Sequence, residues 1–434
     1  MPRQPTFRAG RAMPPMGGPA PVDLGGSTLP RVGWTFIVLY TLAFIGTCLV
    51  LIAPLLVTLA VKVEALLGAR AAPGGLALVT AVGALVAMVG NPFFGRMSDR
   101  TTSRLGMRRP WMVVGLVGGT VGVLIVAIAP SIPIVLVGWC VAQLFFNALL
   151  AVQIAVLPDQ VPSAQRGVVS GVLGVCVPVA SVAGTFVVQL FAPNELAMFL
   201  APCAIGGFFI LLFAAVLKDR RLDPGERPPW SIREFFRTFY LDPRRNRDFA
   251  WAFTSRFLFV LAYAFLATYQ AYYLLSRFGT APAAVAGQVF LGTLVQSALV
   301  VVASLLGGRI SDRSGRRKVF VLAAAIVYGV ALFVIAIASD FDGFLVGMAI
   351  GGLGYGVYVA VDLALVADVL PDRSTAAKNL GVFNIAGALP FSIAPGVAAV
   401  VLALTNGNYA ALYGVAAACA LLAAGAILPV RRTR

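Results

Sequence analysis

Twelve apolar runs dominate this sequence, at 33–61, 75–95, 110–129, 133–157, 167–191, 196–217, 249–275, 283–306, 318–338, 343–367, 380–404 and 408–429. Each is close to or above the roughly 20 residues a helix needs to cross a bilayer. In hydrocarbon every backbone donor and acceptor must be paired within the protein, which leaves helices or a closed barrel. The runs are continuously apolar and too long for strands, so they predict helices. Of the residues, 60% are hydrophobic and 12% charged, against roughly 45–50% and about 25% in soluble domains. The expected fold class is an all-α membrane protein of twelve transmembrane helices. Pro54, Pro92, Pro178, Pro202, Pro390 and Pro395 fall within the runs. Membrane helices tolerate them because neighbouring helices satisfy the freed backbone groups.

The basic residues lie on one side of this pattern. Of 33 Lys and Arg, only Lys62, Arg70 and Arg277 fall in connections of the opposite parity, and Arg256 falls inside a run. Basic loops remain on the cytoplasmic side, so a multi-pass protein of the bacterial cytoplasmic (inner) membrane is expected, with both termini in the cytoplasm. A formal net charge of +16 then reflects topology, and no nucleic-acid partner is expected. Residues 1–31, rich in Pro, Gly and Arg, read as a disordered cytoplasmic tail. Segment 218–248 holds nine basic and six acidic residues and four prolines. It reads as a cytoplasmic linker between bundles at 32–217 and 249–430. Its stretch 231–240 presents Phe235, Phe236 and Phe239 as a short amphipathic surface helix. Cys48, Cys140, Cys176, Cys203 and Cys419 all lie in apolar runs, and there is no histidine. The cysteines read as packing residues, with no metal and no cofactor expected.

The two bundles are repeats. A charged loop beginning Gly95-Arg-Met-Ser-Asp-Arg and ending Met107-Arg-Arg-Pro-Trp111 has a second copy, Gly308-Arg-Ile-Ser-Asp-Arg-Ser-Gly-Arg-Arg-Lys318. Val-Leu-Pro-Asp ends 60 residues after Asp99, at Asp159, and again 60 residues after Asp312, at Asp372. Arg166 precedes Pro178 by twelve residues, as Lys378 precedes Pro390, and Gly184 and Gly396 each follow six residues later. An even number of spans per half makes these parallel repeats about an axis along the membrane normal.

Two six-span halves, each with a Gly-x-x-x-Asp-Arg-x-Gly-x-Arg-Arg type loop after its second span, resemble the major facilitator superfamily over about residues 32–430. The longer first loop is similar to that of sucrose transporters and glycoside-pentoside-hexuronide cation symporters. It departs from them at Met107, and span four offers Gln143 and Asn147 where sucrose transporters place an aspartate. Span five has Cys176-Val177 before Pro178, unlike the Gly-Pro motif of drug antiporters. The resemblance implies a secondary transporter, not an enzyme, working by alternating access. It implies a cytoplasmic gate built from Gly95, Asp99, Arg100, Arg108, Arg109 and Arg166 in the first half. In the second half the gate comprises Gly308, Asp312, Arg313, Arg316, Asp368 and Lys378. Asp99 would hold the first half against span eleven. Spans one, four, seven and ten would line the central cavity.

Charge inside a span is costly, about 2.5–3.5 kcal/mol on insertion scales. Arg256 in span seven and Asp362 in span ten lie at a similar depth, on the order of 10 Å from the basic side, and are expected to pair. Arg256, Tyr263 and Gln270 share one helix face; so do Tyr355, Tyr358 and Asp362, and Gln143 and Asn147 are i, i+4 neighbours. Such stripes on apolar helices need partners or water. They therefore read as the solute-binding wall, with Asp362 and Arg256 as the proton-coupling pair. Lys62 and Glu64 read as an interfacial pair. The expected partners are a small-molecule solute, a coupling proton and the lipid bilayer, for a monomer. Sugar or glycoside symport is the first functional reading and efflux of a small amphipathic metabolite or drug is the second.

Overall fold

The computed structural model describes residues 30–223, 225, 246–369 and 376–430. Among these residues there are helices and connections and no strands. The N-terminal tail, most of the linker with its stretch 231–240, and residues 370–375 lie outside the described residues. The helices are α1 (Trp34–Ala53), α2 (Leu59–Asp99), α3 (Arg109–Ile128), α4 (Ile132–Gln160), α5 (Ser163–Gly174), α6 (Cys176–Phe191) and α7 (Glu195–Val216). After the linker come α8 (Arg247–Arg277), α9 (Pro282–Ser314), α10 (Arg317–Ile337), α11 (Phe341–Val369), α12 (Ala376–Leu404) and α13 (Tyr409–Ile427).

Among the described residues, eleven helical stretches are long and apolar enough to cross a membrane, and the first runs from Trp34 to Asp99 over 66 residues. At 1.5 Å per residue that length would be roughly three bilayer cores. It holds two crossings, because Gly68 (φ 73°, ψ 162°) reverses the chain. Positive φ of this kind is open to glycine and strained for other residues. A π-helical turn at Pro54–Thr58 joins α1 to α2. Span five is split at Val175 because Pro178 cannot donate to the Gly174 carbonyl four residues back, so α5 ends there. Asn194 and Asn408 cap α7 and α13, accepting from Ala197 N (3.1 Å) and Ala410 N (2.9 Å).

The two halves repeat their internal packing. In the first, α4 packs on α2 and α3, α1 on α6 and α7, and α3 on α7; in the second, α11 packs on α9 and α10, α8 on α12 and α13, and α10 on α13. With no hydrophobic force between helices in lipid, close backbone approach through small residues drives this association. A Cβ at Gly46 of α1 would lie 2.7 Å from Gly206 O of α7. One at Gly122 of α3 would fall well inside contact distance of Ala142 N of α4. On α11, Gly352 and Gly356 sit against α9 while Gly354 sits against α10.

Connections at one end of the bundle carry the charged loops 99–109 and 314–317; those at the other carry Gly68 and the turns 129–131, 192–194, 278–281, 338–340 and 405–408. The halves meet through α2 against α12 and α6 against α9. At the end away from the charged loops, the Tyr272 hydroxyl donates to Ala60 O (3.0 Å), and that of Tyr269 lies between Pro395 O of its own half (3.2 Å) and Pro73 O (3.4 Å). Phe186 meets Phe290 there with ring centroids 5.4 Å apart.

Lys62 corrects one expectation. It pairs with Glu195 of α7 at 2.9 Å and donates to Ala127 O of α3 at 2.9 Å, rather than pairing with Glu64. Residues two apart on a helix do not face each other, whereas α7 starts directly opposite Lys62.

Gly122→Ala is expected to lower the unfolding midpoint in detergent, at a cost of about 1–3 kcal/mol for overpacking against backbone. Gly414→Ala, where an added Cβ meets nothing within 4 Å, is expected to leave the midpoint unchanged or raise it. Equal effects would contradict packing through glycine.

Candidate functional site

Arg256 and Asp362 form an ion pair between α8 and α11. Asp362 is 6% exposed. Phe383 of α12 lies against the guanidinium, its ring centroid 4.8 Å from Cζ, a geometry in which the ring face attracts the cation. Gly387 of α12 leaves room for the arginine head, since a Cβ there would lie 3.2 Å from it. The Arg256 Nε is buried without a hydrogen-bond partner, so Asp362 compensates only part of the guanidinium.

The pair is the first of three rungs between antiparallel helices. Arg256, Phe259 and Tyr263 recur at i, i+3, i+7 on α8, and Tyr355, Tyr358 and Asp362 do so on α11. Phe259 stacks on Tyr358 with centroids 3.6 Å apart, and Tyr263 stacks on Tyr355 at 4.5 Å. The third rung faces a small cleft between the halves. The cleft is walled by Leu56, Pro178 and Ser181 of the first half and by Tyr263, Gln270, Thr293, Gln296, Ser297 and Tyr355 of the second, among others. A run of three aromatic rings, Tyr355, Phe259 and Tyr358, thus leads from the cleft wall to Asp362.

The sequence-derived site residues divide accordingly. Arg256 and Asp362 are brought together, Tyr263, Gln270 and Tyr355 line the cleft, and Tyr358 lies behind it against Phe259. Gln143 and Asn147 do not line this cleft. The Asn147 amide donates to Gln143 O (2.9 Å) and Oε1 (3.0 Å), so the two satisfy each other along α4. Sequence reasoning missed Phe259 and the α9 wall. Thr293, Gln296 and Ser297 stand at i, i+3, i+4 on span eight, a polar stripe of the kind that identified spans seven and ten.

At the charged end, Arg108 is 5% exposed. It bridges Asp99 (2.7 Å) and Asp159 (2.8 Å) and donates to Ser98 Oγ (2.9 Å). Burial works against its charge, and the hydrogen bonds and charges of Asp159 and Asp99 more than offset it, raising its pKa above the usual arginine value. Asp99 is therefore engaged within its own half. The expected contact with span eleven falls on residues whose side chains are outside the described set, as are those of Asp312, Asp368 and Lys378. Arg166 closes the end of α4, donating to Val161 O (2.9 Å) and Pro158 O (3.0 Å). Arg313 and Arg316 are exposed at the end of α9. Gly95 and Gly308 allow ordinary contacts with Ala151 (3.8 Å) and Ala360 (3.6 Å).

Asp219, just past α7, was not singled out in the sequence. Its carboxylate accepts from the backbone N–H groups of Arg108 (2.6 Å) and Arg109 (2.8 Å), where α3 begins. A negative charge at a helix N-terminus is stabilised by the unpaired donors and the dipole. Gly106 (φ 101°) makes room, because a Cβ there would overlap the Asp219 carboxylate.

This fold and site are those of a transporter built from two six-helix repeats. The Major Facilitator Superfamily model matches residues 35–301 and 286–434, and the chain belongs to that family. Curated relatives match over short stretches. One is the multidrug resistance protein MdtL of Klebsiella pneumoniae (strain 342), 38% identical over 97 residues, 22% of this chain and 24% of that protein. Another is the probable polyol transporter 4 of Arabidopsis thaliana, 33% identical over 84 residues, 19% of this chain and 15% of that protein. The matches thus span about a quarter or less of these relatives. Among solved structures, the nucleoside transporter NupG aligns with a TM-score of 0.71 at 13% identity, covering 91% of this chain and 99% of that one. The human organic anion transporter MFSD10 aligns with a TM-score of 0.64 at 16% identity, covering 90% and 98%. At these identities both are likenesses of fold.

Arg108→Leu is expected to lower the detergent unfolding midpoint, costing about 1–3 kcal/mol, because it strands two carboxylates that are partly solvated. Asp99→Asn and Asp159→Asn should each cost less, since the other acid still holds the arginine. Three equal effects would show that the bridge does not act as a unit.

Proposed function

We propose that this protein is a proton-coupled secondary transporter of a small organic solute, and that Asp362 carries the proton. The buried Arg256–Asp362 pair carries this reading. Protonating Asp362 neutralises it and frees Arg256, so the electrostatic bond between α8 and α11 depends on proton occupancy. Its position behind the aromatic run of the cleft wall connects that change to the solute. With the basic end in the cytoplasm, the tyrosine contacts at the opposite end support a state closed towards the outside, in which the solute exchanges with the cytoplasm. The Asp99–Arg108–Asp159 bridge and its neighbours then form the cytoplasmic gate of the first half. A cleft walled by tyrosines, amides and hydroxyls suits a sugar or glycoside through stacking and hydrogen bonds. The partial match to a polyol transporter and the extended first loop agree with symport. The partial match to MdtL favours the second reading, proton-coupled efflux.

In proteoliposomes with an imposed proton gradient, Asp362→Asn is expected to abolish uphill accumulation while leaving solute exchange near the native rate. Accumulation that survives the substitution would reduce the pair to a fastening between two helices. The sign of the gradient that drives accumulation distinguishes symport from efflux.

A further inference from the structure

Among the described residues, the cleft wall carries no charged side chain. Its polar wall is Ser181 of α6, Gln270 of α8, Thr293, Gln296 and Ser297 of α9, and the hydroxyls of Tyr263 and Tyr355. Arg256 and Asp362 pair with each other behind the Tyr355, Phe259 and Tyr358 rings and do not line the cleft. In a low-dielectric site, a solute with net charge would lose its water without gaining a counter-ion. One donor on this wall is also idle. Gln296 Nε2 is buried without a hydrogen-bond partner, facing Gly351 of α11, where an added Cβ would lie 3.7 Å from it. An unmade hydrogen bond from a buried amide is unfavourable. Turned into the cleft, this carboxamide can donate to an acceptor oxygen of an occupant.

We infer that the cleft selects uncharged, oxygen-bearing solutes and that Gln296 is the donor that determines this specificity. The inference rests on the reading of the cleft as the solute site. It adds that cationic and anionic analogues of the same skeleton are rejected, and it assigns the rejection to one residue. The amide reads the solute's oxygen, Ser181, Thr293 and Ser297 meet further hydroxyls, and the Tyr263–Tyr355 pair supplies an apolar face.

The test uses the full-length protein in detergent, with no gradient, and three matched sets of probes. Each set holds one neutral, one amine and one carboxylate form of a skeleton: methyl glucoside, methyl glucosaminide and methyl glucuronide; sorbitol, glucamine and gluconate; benzamide, benzylamine and benzoate. Binding is read from the shift in unfolding midpoint and from titration calorimetry. In at least one set the neutral member is expected to bind and the charged members to bind at least about tenfold more weakly. Gln296→Leu should weaken the neutral probe about tenfold, as the loss of one hydrogen bond would. Gln296→Glu should turn the preference towards the amine of the same set, a gain that a merely structural role for Gln296 would not produce. Equal or tighter binding of a charged member, unchanged binding in Gln296→Leu, or no stabilisation by any neutral probe would overturn the inference. Because the readout involves no proton gradient, it stands apart from the coupling role of Asp362: binding may follow this pattern while Asp362→Asn still accumulates solute, or the reverse.

Discussion

A charge held within a bilayer needs a partner, and that constraint gives the Arg256–Asp362 contact its weight. Each residue alone inside its span costs about 2.5–3.5 kcal/mol on insertion scales. Breaking a buried pair from one side costs far more than keeping it, because the remaining ion is stranded. A proton changes this balance, since it removes the charge on Asp362 without removing the side chain. The pair can therefore be a strut in one protonation state and an open joint in the other. It sits in a ladder whose other rungs are Phe259 on Tyr358 and Tyr263 on Tyr355. The third rung is part of the cleft wall, so under the proposed function a solute on Tyr263 or Tyr355 would act on rings stacked towards the pair.

Around that ladder the halves are packed tightly within themselves. Each half is knit by glycine-mediated contacts such as Gly46 with Gly206 and Gly356 with Val300. Between the halves the described polar contacts are tyrosine hydroxyls on the carbonyls of Ala60 and Pro73. The first is worth about 0.5–1.5 kcal/mol net, and the second is shared with Pro395 O, so this polar closure is weak. At the charged end, Arg108 gathers Asp99, Asp159 and Ser98, while Asp219 fastens the start of α3 to the exit of α7. The first half thus presents a stiff, internally paired surface there.

The fold was legible in the sequence because its signals are large. Continuous apolar runs, basic loops of one parity and a marker repeated at 60 residues all survive without tertiary knowledge. The core of the site was legible for the same reason, since one arginine and one aspartate stand out in apolar runs and tyrosines recur at helical spacing. What escaped depends on contacts far apart in the chain. Asp219 meets the backbone at Arg108 and Arg109 only because Gly106 is left-handed, and no local pattern announces that. Lys62 chose Glu195, 133 residues away, over Glu64 two residues on. Gln143 and Asn147 carried the expected spacing, but their hydrogen bonds close on each other. The α9 stripe Thr293, Gln296, Ser297 could have been read from spacing alone.

The central claim is that Asp362 gains and loses a proton at the pair. Infrared difference spectroscopy of the membrane-reconstituted protein, stepped across the pH range of transport, tests it without knowledge of the solute. The account predicts a protonated-carboxyl band that appears as pH falls, is absent in Asp362→Asn and shifts in Arg256→Gln. If no band dependent on Asp362 appears across that range, Asp362 does not titrate there, and the contact is a permanent fastening between α8 and α11.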